Sequence, residues 1–116
     1  MKKKIQQLYE DINFIGFYST YNKDVQYIDK IRKIWPQITE FVKWFLDKKI
    51  QELDQSIKIA IQNNLIAILK DCEEAFKYND TVLMRDALEE GLMEYLKMFL
   101  SEEELREIGE KNVGRD

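Results

Sequence analysis

The chain has 116 residues, a net charge of −4, 45% apolar and 34% charged residues, which is the make-up of one globular domain. Its acidic balance argues against nucleic acid, whose phosphates need clustered Lys and Arg, and the lack of histidine removes the commonest general base and metal ligand. A single cysteine, Cys72, excludes an internal disulfide, and no stretch reaches the ~18 consecutive apolar residues of a membrane span.

The 3.6-residue apolar period runs nearly end to end, and no window alternates for long enough to be a strand. The expected class is all-α, an up-down helical bundle of four main helices plus a short C-terminal helix. Residues 1–116 form one domain, with a tail over 110–116 that is expected to fray.

The first helix covers about Lys3 to Thr20, with Ile5, Leu8, Tyr9 and Ile12 on one stripe. The basic run Lys2-Lys3-Lys4 is followed by IQQLYEDINF, which is too polar for the apolar core of a signal peptide, so a cytoplasmic location is expected. Asn22 and Asp24 offer turn and N-cap chemistry. The second helix covers about Val25 to Leu46. Ile28, Ile31, Trp35, Ile38, Val42 and Phe45 keep phase across Pro36, which predicts one helix running on through a kink.

The third helix has no clear start. Its stripe is Ile50, Leu53, Ile57, Ile61, Leu65, Ile68, Cys72 and Phe76, and it ends near Tyr78. Asn64 falls on this stripe, where a polar residue can fix register between helices. The fourth helix begins at Asp80 or Thr81, with Met84, Ala87, Leu88, Gly91, Leu92, Tyr95 and Phe99 facing the core. Ser101-x-x-Glu104 is a capping box that starts the last helix.

Chemistry has few bearers. With no histidine and no Gly-rich loop, only carboxylates and Cys72 remain, and Cys72 lies on an apolar stripe as a small buried residue. Asp71-x-x-Glu74 and Asp86-x-x-Glu89 are acidic pairs of the general kind that hold Mg²⁺ in some all-α nucleotide pyrophosphohydrolases. At ~100° per residue, however, Asp86 falls opposite the core stripe and Glu89 about 120° from its centre. The acidic row therefore reads as the wet side of a helix, with Arg85 and Glu89 paired at i,i+4. No catalytic, cofactor-binding or metal-binding residue is expected.

The segment Asp80-x-Val82-Leu83-x-x-Asp86-x-Leu88-Glu89-x-x-Leu92 resembles the signature of an uncharacterised family of small bacterial all-helical proteins, a domain of unknown function. Where that signature carries Ala, Tyr and Glu, this chain has Arg85, Glu90 and Gly91. The resemblance covers this segment, and the rest of the chain shares only the helical layout. It implies a helical fold and no activity.

Apolar residues also lie off the core stripes. Phe14, Phe17, Tyr18 and Tyr21 form a second stripe on the first helix, about 180° from Ile5 and Leu8. Trp44, Ile59 and Ile66 lie off theirs. Either the first helix bends at Gly16 and the aromatics join the core, or Phe14, Phe17, Tyr18, Tyr21 and Trp44 form an interface. The second reading makes the chain a non-enzymatic interaction or scaffold bundle. Its partner is a protein, expected to be a second copy in a homodimer, with no nucleic acid, membrane or cofactor. The alternatives are a Mg²⁺-dependent nucleotide hydrolase and an export-chaperone-like helix binder.

Overall fold

The computed structural model describes residues 1–21 and 26–114. Among them every regular element is helical: α1 (Lys2–Tyr21), α2 (Tyr27–Asp47), a 3₁₀ turn (Lys49–Glu52), α3 (Gln55–Tyr78), α4 (Thr81–Arg85), a π segment (Asp86–Leu92), α5 (Met93–Lys97) and α6 (Glu102–Gly114). The class is all-α and the fold a helical bundle. Among the described residues no helix is long and apolar enough to cross a membrane. The turn assigned to Asn22 and Asp24 lies outside the described residues.

Pairs of side chains fix the directions. Lys4 bridges to Glu40 at 3.1 Å and Lys30 lies over the Tyr18 ring, so α1 and α2 are antiparallel. Trp35 meets Phe76 edge-on, and near the far end Phe45 meets Tyr95, whose hydroxyl donates to Asn64 at 2.6 Å. Hence α2 and α3 are antiparallel. α6 runs parallel to α1, with Lys2 pairing to Glu104 and Lys111 to Glu10. Asn112 is fully buried at this seam and donates to the Glu10 carbonyl and the Asn13 side chain. Burial of an amide is tolerated there because its hydrogens are satisfied.

The core follows the stripes of the first two helices. Ile5, Leu8, Tyr9, Ile12 and Ile15 of α1 and Ile28, Ile31, Ile38, Phe41, Val42 and Phe45 of α2 are buried. α2 is one helix with Pro36 inside it, as its unbroken phase predicts. The Thr39 hydroxyl bonds back to the Trp35 and Pro36 carbonyls in the turn after the proline. α1 is also uninterrupted at Gly16.

Three expectations need correction. Ile50 lies in the 3₁₀ turn and Leu53 just after it, so neither belongs to α3, whose first residue is Gln55. Ile57 is exposed, because α3 overhangs the core at its start. The run from Thr81 to Lys97 is not a uniform α-helix, since seven of its residues are π.

Both expected caps are present. The Asp80 carboxylate accepts from the Leu83 N–H at 3.0 Å, while Ser101 and Glu104 exchange reciprocal bonds of 3.0 Å. Asn79 ends α3 in the left-handed region at φ 53°, a conformation Asn tolerates better than most residues. Asp80→Ala is expected to lower stability by about 1 kcal/mol in urea unfolding. A loss under about 0.3 kcal/mol would show that the cap contributes nothing.

Candidate functional site

The aromatic stripe of α1 is half-buried at Phe14, Phe17 and Tyr18. α1 is flanked there by α2 and α6: Phe14 lies beside Lys30 and Ile34, and Phe17 beside Arg106 and Val113. The Tyr21 side chain lies outside the described residues. Trp44 is also half-buried, in a ring cluster with Phe41 and Phe99 at 6.1 and 5.4 Å. The structure thus brings Phe14 and Tyr18 together at 5.7 Å and places Trp44 in a different aromatic cluster.

Asp71, Glu74 and Asp86 are exposed. Among the described residues no three His, Cys, Asp or Glu groups converge as metal ligands do. Cys72 is fully buried, and burial pushes its thiol up to about 12, with Asp71 and Glu73 adding to the effect. A thiol so reluctant to ionise is a poor nucleophile.

Glu89 departs from the sequence reading. It is half-buried and leans onto α1, so close that a Cβ on Gly16 would stand 2.1 Å from its Oε1. The cause is the π segment. A π turn rotates each residue through less than the ~100° of an α-helix. Met93 accordingly donates five residues back, to the Leu88 carbonyl. The residues after Asp86 fall behind the α phase, and Glu89 moves inward from the position the α period assigns it. The same lag buries Met93 and Leu96, which the α period leaves out of the core, and shifts Tyr95 and Phe99 to its margin.

A small polar cluster results. Arg85 Nη1 donates to Glu89 Oε1 at 3.3 Å and to the Gly16 carbonyl at 3.2 Å, and the guanidinium covers the Tyr27 ring at 4.6 Å. The i,i+4 pair expected from the sequence is therefore present, with both side chains only about a third exposed. Tyr27 is buried, and among the described residues its hydroxyl has no hydrogen-bond partner. Burial, then the Glu89 charge, raises the phenol's affinity for its proton.

The Glu89 carboxyl is raised above its ordinary 4.5, first by burial and further by Asp86 and Glu90, against the opposing pull of Arg85. A raised carboxyl binds its proton more tightly in the folded state. Ionised Glu89 therefore costs stability, from pH 4.5 upward, until pH passes the folded value. Glu89→Gln should gain on the wild type as pH rises through that window and hold a constant difference above it. Urea unfolding at a series of pH values checks this. A wild type that gains on the variant with rising pH would reverse the sign.

α3 carries three exposed isoleucines. From Gln55 to Asn64 none of its residues is buried. Ile57, Ile59 and Ile66 are 48%, 54% and 44% exposed, and Ala60, Asn63 and Ala67 beside them are exposed too. The sequence marks Ile59 and Ile66 as off the stripe. It does not mark Ile57, which is in phase with the core but beyond its edge.

Compared with known proteins, the chain matches no family model, no curated protein and no solved structure.

Proposed function

We propose that this chain is a non-enzymatic interaction bundle that self-associates in the cytoplasm. The observation that carries the reading is the start of α3, where ten consecutive helical residues, 55–64, include three isoleucines and not one buried side chain. Helical stability in proteins comes mostly from packing an apolar face, so such a stretch is stabilised when a second body covers it. A second copy is the occupant. Ile59 and Ile66 are seven residues apart, the spacing of a helix-pairing seam, and a two-fold axis places each copy's seam on the other's.

The α1 aromatics are a weaker basis for this reading than the α3 isoleucines, since α2 and α6 already flank them. The antiparallel pairings support the finer description of four up-down helices closed by α6 along α1. Membership in the uncharacterised helical family is part of the same proposal and rests on the Asp80–Leu92 segment. The cytoplasmic assignment rests on a lone, buried cysteine in an acidic chain.

Light scattering tests the reading. The wild type should have the mass of a dimer at micromolar concentration. Ile59→Glu with Ile66→Glu should be a folded monomer, because both positions are already exposed within one chain. A monomeric wild type at tens of micromolar would remove self-association.

A further inference from the structure

The buried residues of the run from Thr81 to Lys97 are Met84, Ala87, Leu88, Leu92, Met93 and Leu96. Their spacings are three, one, four, one, three. An α-helix facing a core on one side gives three, one, three, one, three. One residue too many lies between Leu88 and Leu92, inside the π segment. Removing it would leave a regular amphipathic helix with the same six residues in the core.

Two further departures from local preference meet at this point. Gly16 sits inside a 20-residue helix, where alanine is the better helix former. Its missing Cβ is the space that Glu89 Oε1 occupies, with Arg85 Nη1 3.6 Å from that position. A carboxylate is also drawn out of water there, with one guanidinium for a partner. Helix geometry, residue choice and charge burial are each suboptimal alone. All three are accounted for by one contact. Local rules broken together at one place mark a built feature rather than an accident of packing.

We propose that the π segment is a one-residue insertion that the core does not need, and that it forms a releasable clasp: it seats the Glu89 carboxylate on Gly16, tying α1 to the fourth helical run through Arg85. The clasp is a polar tether beside the core. It can open without loss of apolar burial, because neither Glu89 nor Arg85 is among the core residues.

Deletion of Glu90 tests this, with deletion of Glu94 as the control. Without Glu90 the run closes into continuous α-helix and Leu92, Met93 and Leu96 return to their places. The variant should unfold cooperatively with a melting temperature within about 5 °C of the wild type. Without Glu94 the π segment stays and Leu96 is turned out of the core, so that variant should lose the folded state or melt at least about 15 °C lower. By NMR, the wild type should show a contact between the Glu89 γ-protons and the Gly16 α-protons. That contact should vanish on deletion of Glu90, together with the π pattern over 86–92. Gly16→Ala supplies a second reading. In the otherwise wild-type chain it should displace the Arg85 and Glu89 side-chain resonances; with Glu90 deleted it should leave them unmoved. A Glu90 deletion as damaging as the Glu94 deletion would overturn the proposal, as would a π segment that survives it. So would Gly16→Ala that leaves Arg85 and Glu89 unmoved in the wild-type chain.

Discussion

Phe45→Ala should cost about 3–5 kcal/mol, enough to leave the chain at the edge of folding. Phe45 is fully buried and stands between two helical runs. Its ring is 6.1 Å from Phe41, 5.5 Å from Tyr95 and 6.3 Å from Phe99. Truncation removes the transfer free energy of the ring and leaves a cavity that three other rings cannot close without leaving their rotamers. Thermal melting followed by circular dichroism should show a fall of at least about 15 °C. A loss under about 1 kcal/mol would mean that the aromatic layer is not packed as described.

Met93→Glu is the second large effect, and it separates two helical phases. Continued α periodicity from Met84 puts residue 93 about 180° from the core stripe, where a glutamate changes stability by no more than about 0.5 kcal/mol. The π segment puts it inside, 5% exposed. A charge there has no partner and must be neutralised or hydrated, so a loss of about 3 kcal/mol or more is expected. Urea unfolding decides between them. Neutral behaviour would show that the run keeps α phase through Gly91, and the Glu89 clasp would go with it.

The contrast shows which features sequence patterns carry. α2 was legible because its stripe never slips: Ile28 through Phe45 keep one phase, and that phase outweighs the local signal of Pro36. The two caps were legible because Asp80 and Ser101 act on N–H groups within three residues of themselves. The π segment was not, because the fault that reveals it is a spacing of four between Leu88 and Leu92, and Gly91, Tyr95 and Phe99 offer an α-periodic alternative. Only packing against α1 and α3 decides between the two. Ile57 misled for another reason. Periodicity assigns a face to a residue but does not say how far along the helix the neighbours extend. The burial of Asn112 and the cover that α6 gives to Phe17 depend on a contact between the two ends of the chain, which no local pattern encodes.

Glu89 joins both lessons. Its i,i+4 partner was visible in the sequence, but its orientation was not, and neither was the reason for a glycine at position 16. Two residues 73 positions apart explain one another only when α1 and the π segment stand side by side.

The self-association reading turns on whether a second copy covers the start of α3. Hydrogen exchange of the backbone amides from Ile59 to Asn64, followed as a function of protein concentration, reads this directly. Covered turns open less often, so exchange there should slow as concentration rises through the dimerisation range. Rates over 59–64 that do not change with concentration, in a chain that is otherwise protected, would contradict it.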